Sequence, residues 1–494
     1  MIRLRDSPRM DAESFLKVCD QFRLGELVTE QPHQETIGLA ELAQTDLLSA
    51  IDAFHRVDLQ CMEKLPASLA PLPEMVDSMR EALAGGGRIF LAGCGATGRL
   101  SLSLETFARE AWLGPDDQER VIGFMAGGDA ALIRSIEAFE DFPEYGERQL
   151  LEAGFTENDL LLAITEGGET PFVIGACLKA AALSRHAPWF LFCNPPELLR
   201  SLTERSRAVL DCPHVRPFFL ETGPMALAGS TRLQATTVQT LVAGAALSEA
   251  FGHEPAMELI EQFRHLIFNH RPDVLAPLIE AEANIYQRGD LVLYETDRYG
   301  ITVLTDTTER APTFSLAPFE NRNRPTDPMS WCYLSLPEVP NSAGAWNLLL
   351  HRPPRTLEWP HLQGKASRET LLGHDISGAA GEWRAARHPG RRQIPYLVLG
   401  DGPVLEFAGH QRDLGQKKAP LLIRHLLLKC CLNLQSTLVM GRLGLFESNL
   451  MTHVKPSNFK LIDRAARHTQ HHHRQRTGED LPYEEAVRLV FDRL

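Results

Sequence analysis

From Arg88 onward, short apolar runs alternate with helix-forming stretches, and this alternation limits the possible folds more than any other feature of the chain. RIFLAG (Arg88–Gly93), VIGFMAGG (Val121–Gly128), LLLAIT (Leu160–Thr165) and WFLFCN (Trp189–Asn194) are apolar throughout, so each reads as a strand buried on both faces. The helices between them supply the cover, which predicts a parallel sheet in an α/β fold. The pattern returns after Gly289 in LVLYET (Leu291–Thr296), WCYLSLP (Trp331–Pro337), AWNLLLH (Ala345–His351) and IPYLVLG (Ile394–Gly400), all read as strands, with the helical ITVLTDTTER after Gly300.

A chain of 494 residues has room for roughly three units at about 150 residues each. Residues 1–75 read as a helical N-terminal arm, because Leu39, Leu42, Leu47, Leu48, Ile51 and Phe54 recur at spacings of three and four. Residues 76–255 form a first α/β domain, 256–288 linking helices interrupted at Pro272, 289–418 a second α/β domain, and 419–494 a helical C-terminal segment.

The balance of 50 Lys+Arg against 64 Asp+Glu gives a net charge of −14, a field that repels nucleic acid and anionic membranes. A small anion can still be held locally by backbone amides. The nine cysteines are odd in number and scattered, without a CxxC pair, which suits reduced thiols in a cytoplasmic protein rather than disulfides or a zinc site. No uncharged apolar run approaches the roughly 18 to 20 residues of a membrane span.

The loop Gly93-Cys94-Gly95-Ala96-Thr97-Gly98 follows a strand and opens a helix. Its amides and the helix dipole could cradle a phosphate, with the Thr97 hydroxyl as a further donor. The same spacing fits a dinucleotide fold, but that fold wants an acid about 20 residues on, whereas Asp129 lies roughly 30 beyond Gly98. A glycine turn that binds nothing is the third reading.

Four stretches carry a resemblance to a known family: TEQPHQETIGL (Thr29–Leu39), AGCGATGRL (Ala92–Leu100), ETGPMALAGSTRLQATT (Glu221–Thr237) and NLMTHVKPSNFKLIDRA (Asn449–Ala465). Together they resemble the sugar isomerase (SIS) superfamily, in the branch of N-acetylmuramic acid 6-phosphate etherase and the glucokinase regulatory protein. The resemblance implies two tandem SIS-type doubly wound domains, no cofactor and no metal. It also implies a phosphosugar ligand held by Gly93, Gly95, Ala96, Thr97, Gly98, Gly167, Gly168, Ser230, Thr231, Arg232 and Lys460. The family's paired carboxylates map to Glu140, the base, in SIEAFED, and to Glu309 in TDTTERAPTF. Taken singly, either glutamate could equally be a solvated helix residue.

The internal repeat bears on the same residues. Placing Gly300 on Gly98 sets Phe107 against Glu309, Asp297 against Gly95 and Glu295 against Gly93. The first copy therefore has the phosphate loop but lacks the acid; the second has the acid but a loop carrying two carboxylates. The expectation is one composite site in which Glu140 and Glu309 face each other across a cleft between the copies. The chain departs from the family at Gly167-Gly168, where Ser-Gly is usual, at Gln234, where lysine is usual, and at Pro312, where the regulatory protein has histidine.

These departures and the tandem layout favour a sugar-phosphate-responsive regulator, with a protein partner such as a sugar kinase. The alternative is a lyase of the etherase type, eliminating lactate with the two glutamates. The run His468–His473 has one i,i+4 histidine pair and reads as a solvated helix face rather than a metal site; Cys430-Cys431 reads as core packing. The segments Asn321–Pro328 and Arg352–Pro360 read as ordered loops without an assigned function.

Overall fold

The computed structural model describes residues 11–22, 24–136, 139–451 and 458–492; the rest of the expected arm and C-terminal segment lies outside the described residues. Among these, the strands form two five-stranded sheets. In the first, β1 (Ile89–Gly93), β2 (Val121–Met125), β3 (Leu160–Ile164), β4 (Trp189–Phe192) and β5 (Arg216–Phe219) run parallel in the order β2-β1-β3-β4-β5. Ile89 registers with Val121 on one side and Leu160 on the other. Every residue of β1 to β4 is buried, as four unbroken apolar runs require. The Arg216–Phe219 strand escapes the apolar pattern because Arg216 and Pro217 are exposed on the sheet edge.

The second sheet has the order β10-β9-β8-β6-β7, from β6 (Leu291–Thr296), β7 (Cys332–Ser335), β8 (Gln393–Leu399), β9 (Val404–Phe407) and β10 (His410–Asp413). β6 pairs parallel with β7 and β8, while β8, β9 and β10 are antiparallel. The β9–β10 hairpin turns on Ala408 and Gly409, with φ of 49° and 85°, the positive pair that a two-residue hairpin turn demands. Its polar strand HQRD gave no apolar signal.

One expected strand is corrected. Ala345–Leu350 lies within the helix Ser342–Leu350, with His351 its left-handed C-cap, and the N-terminus is capped by Asn341 Oδ1 accepting from the Gly344 N–H at 2.9 Å. With no β-branched residue in the run and an asparagine cap before it, helix wins over strand. The arm, the Pro272 break and the C-terminal segment are helical as expected: Leu47–Ser68, Leu72–Ala84, Ala256–Asn269, Ala276–Gln287, Leu421–Arg442 and Phe459–Thr477.

Two elements tie the sheets together. The helix Leu421–Arg442 is buried over most of its length between them; its Gln435 donates to Glu282 at 2.7 Å and accepts from Tyr396 at 2.8 Å. The Arg352–Pro360 segment is a staple from the second copy into the first. Arg352 pairs with Glu105 at 3.0 Å and Asp129 at 2.6 Å, all three buried, and Arg355 reaches Glu105 at 2.7 Å. Trp359 stacks on Phe139, next to Glu140, at 5.4 Å. Asp129, the acid that the dinucleotide reading would have offered to a ribose, is thereby committed to Arg352.

Candidate functional site

β1 lies between β2 and β3, so the chain leaves neighbouring strands to opposite sides and opens a crevice at their C-terminal ends, where sheets of this order bind ligands. The glycine loop sits there. Gly93 ends β1, Cys94 caps the helix Gly95–Phe107, and Gly95 takes φ +53° with open space where a side chain would stand. Gly98 is required by a close approach: a Cβ there would come within 2.5 Å of Met125 Cβ on β2. The Thr97 hydroxyl is turned back on the loop, donating to the Cys94 carbonyl at 3.0 Å and accepting its N–H at 3.1 Å.

The loop after β3 brings Gly167 and Gly168 to the same crevice between two buried glutamates, Glu166 and Glu169. Lys460, at the start of the Phe459–Thr477 helix, pairs with Glu169 at 3.4 Å and Glu166 at 3.9 Å, and Arg205 holds Glu169 at 2.8 Å. These cations overcome burial and hold Glu169 below its ordinary range, whereas burial leaves Glu166 raised, with Oε1 lacking a hydrogen-bond partner among the described residues.

Glu140 accepts from Asn458 Nδ2 at 2.9 Å. Burial raises its carboxyl above the ordinary range against the opposing charge of Lys460, and Cys94 in the glycine loop is pushed up by burial first and by the charge of Glu140 second. Asp141 beside it is pushed to about 8, by burial first and the charge of Glu140 second. The glycine loop, Gly167-Gly168, Glu140 and Lys460 thus belong to one cluster.

Glu309 belongs to another. It lines a cleft between the helices Gly95–Phe107, Gly300–Phe314 and Leu421–Arg442, with Ala96 at the end nearest the glycine loop. Arg99 Nη1 meets Glu309 Oε1 at 2.7 Å and Arg99 Nη2 donates to the Leu132 carbonyl at 2.9 Å. Glu140 is not in this lining, so the two carboxylates are held by different partners. Arg232 also turns to the second copy, with Asp306 at 2.9 Å, rather than to the loop. Ser230 is buried without a partner for its hydroxyl among the described residues; Thr231 is half-buried beside it. Phe107, at the position the acid would occupy in the first copy, packs on His425 at 4.4 Å, and Tyr299 packs on the same ring at 4.9 Å. Aromatic rings therefore fill the second copy's counterpart of the site.

Sequence reasoning missed how arm and tail meet. Glu30 in the first motif is buried against Arg464 in the last, Nε to Oε2 at 3.0 Å, and Asn194 after β4 donates to Thr29 Oγ1 at 2.9 Å. Each motif stands out in the sequence, but nothing in either names the other. In the histidine run, burial lowers His468 to about 3 and His472 faces Glu447 at 3.3 Å, so this face is partly covered rather than fully solvated. Gln234, the family's lysine position, donates to Asp58 at 2.7 Å. No helix among the described residues is long and apolar enough to cross a membrane.

Residues 72–182 match the family model of the glucokinase regulatory protein N-terminal SIS domain. The chain is 36% identical over 215 residues to the N-acetylmuramic acid 6-phosphate etherase of Picosynechococcus sp., a match covering 43% of this chain and 65% of that relative. Against the etherase of Halalkalibacterium halodurans it is 35% identical over 221 residues, covering 44% of this chain and 68% of the relative. The C-terminal domain of glucosamine-fructose-6-phosphate aminotransferase from Francisella tularensis aligns over 81% of this chain and 96% of its own, with a TM-score of 0.44 and 12% identity.

Proposed function

The chain belongs to the SIS superfamily, in the branch of N-acetylmuramic acid 6-phosphate etherase and the glucokinase regulatory protein, and on that premise we propose that it binds a phosphorylated amino sugar at the glycine loop and cleaves it as an etherase-type lyase. The observation that carries the reading is Glu140: a carboxyl beside the loop, raised above its ordinary range by burial, as a group that exchanges a proton during the reaction requires. Glu309, presented to Arg99 as a carboxylate, supplies the second group. One carboxylate takes the proton alpha to the open-chain carbonyl. The other glutamate, carrying its proton as a carboxylic acid, passes it to the departing lactyl ether oxygen, and water adds to the alkene, giving lactate and the amino-sugar phosphate. The sugar must bridge the two clusters, with its phosphate over the amides of Gly95 to Gly98 and its C2–C3 bond within reach of both Glu140 and Glu309.

A second reading, a sugar-phosphate sensor acting on a protein partner, is favoured by Lys460. The cation that would meet the phosphate already holds Glu166 and Glu169. A phosphate that claims it must loosen the Phe459–Thr477 helix, which would turn binding into movement.

Incubation with N-acetylmuramic acid 6-phosphate should release lactate, and Glu140→Gln should lower the rate by the ~10² to 10⁴ of a lost acid or base. Saturable binding without lactate leaves the sensor; no binding of any hexose or amino-sugar phosphate overturns both.

A further inference from the structure

The cleft that holds Glu309 has an unbalanced charge at its far wall. Glu309 is paired with Arg99, and Asp306 is shared between Arg232 at 2.9 Å and Arg310 at 2.8 Å. Lys429 also lines the cleft, and its ammonium meets neutral oxygens: the Arg232 carbonyl at 2.8 Å, Thr237 Oγ1 at 2.8 Å, Asn433 Oδ1 at 2.9 Å and the Leu233 carbonyl at 3.2 Å. Among the described residues no carboxylate lies within ion-pairing distance of it. Its charge reaches Asp58, which burial pushes to about 7 and which accepts from Gln234. Lys429 is half-buried, burial lowers its ammonium to about 8 and Asp58 and Asp306 oppose this only from a distance, so a cation paired with neutral oxygens alone is stabilised when an anion arrives.

A second observation points the same way. Arg232 is buried, its two terminal nitrogens are bonded to Asp306, Ser436 and Thr437, and its Nε–H is left without a partner. A buried guanidinium N–H can only donate, so it needs an acceptor that the described residues do not supply. His425, also buried and lining the cleft, has Nε2 unpartnered while Thr302 holds its Nδ1 at 2.7 Å. The walls add the hydroxyls of Ser103, Thr240 and Thr305 and the apolar faces of Leu100 and Leu426.

From these groups we infer that the cleft between the two copies is a binding site for a small hydroxycarboxylate, its carboxylate balancing Lys429 and accepting from Arg232 Nε and its hydroxyls facing the threonines. A single negative charge matches a single uncompensated cation. A phosphate dianion would bring a second charge next to Asp306 and Glu309. The site shares Glu309 with the proposed lyase, whose leaving group, lactate, is of this class, but the inference does not need the elimination to occur.

Calorimetric titration of the full chain at constant ionic strength tests it, with sodium D-lactate, sodium gluconate, glucose and inorganic phosphate as probes. At least one of the two carboxylates should saturate the protein, and glucose and phosphate should bind at least about ten-fold more weakly. Lys429→Gln should weaken the carboxylate by about ten-fold or more, whereas Lys429→Arg, which keeps the charge, should retain most of it. If Lys429→Gln does not fold, Thr305→Val and Ser103→Val carry the test, each expected to weaken binding several-fold. Glu140→Gln should stop lactate release yet leave carboxylate binding in place, so failure of the lyase and failure of this site read differently. No saturation by either carboxylate at tens of millimolar, equal binding of glucose, or affinity untouched in folded Lys429→Gln would overturn the inference.

Discussion

Asn458 donates its side-chain Nδ2–H to Glu140 at 2.9 Å while its Oδ1 accepts the Leu461 N–H at 2.8 Å, so one side chain both caps the Phe459–Thr477 helix and holds the candidate catalytic carboxylate. The state of Glu140 and the seating of the C-terminal helix are therefore linked through a single amide.

Asn458→Ala removes both bonds. The helix should lose about 1 kcal/mol with its cap, and the Glu140 carboxyl, deprived of a donor to its ionised form, should rise further. Urea denaturation measures the first effect, and the pH dependence of lactate release or sugar-phosphate binding the second. An unshifted pH profile would mean that the amide does not tune Glu140.

The Arg352 staple should matter more for stability than any exposed pair. Arg352→Met leaves Glu105 and Asp129 buried, the latter without its cation, and should cost about 3 to 5 kcal/mol. A loss below about 1 kcal/mol in urea would place it with ordinary surface pairs.

Asp141 gives a signed pH effect. Its folded value of about 8 lies well above the ordinary aspartate value of about 4, so between these limits the folded chain binds the extra proton. Its contribution is fully present below about pH 4 and is lost as pH rises through 8, by up to about 1.4 kcal/mol per pH unit. Relative to wild type, Asp141→Asn should gain stability steadily from pH 4 to 8. Stability curves that stay parallel across that window would contradict the assignment.

Two glycines of the glycine loop should respond differently. Gly98→Ala drives a Cβ into Met125 on β2 and should cost about 1 to 3 kcal/mol through overpacking, and should weaken sugar-phosphate binding as the loop shifts. Gly95→Ala has open space but φ +53°, and should cost about 1 to 2 kcal/mol from backbone strain alone. Thermal melts and ligand titrations of the pair separate the two causes; an unaltered Gly98→Ala would show that β2 yields freely.

The strands β1 to β4 were legible because a strand buried on both faces must be apolar at every position, and that requirement is written locally; β6, β7 and β8 were legible from their shorter or partly covered apolar runs. The helix Gly300–Phe314 was legible for a related reason: a repeated element repeats its pattern. AWNLLLH misled because an apolar run fits helix and strand alike, and Asn341, the residue that decides between them, lies outside the run. The pairings that shape the candidate site were not legible at all. Glu30 with Arg464, Asn458 with Glu140, Arg352 with Asp129 and Glu309 with Arg99 join residues far apart in the chain, and a charged side chain looks the same in sequence whether it faces water or a buried partner. Sequence determined most of the elements and named the candidate site residues. Tertiary structure decided which charges share a buried space, because that depends on how the elements pack and on the desolvation that follows.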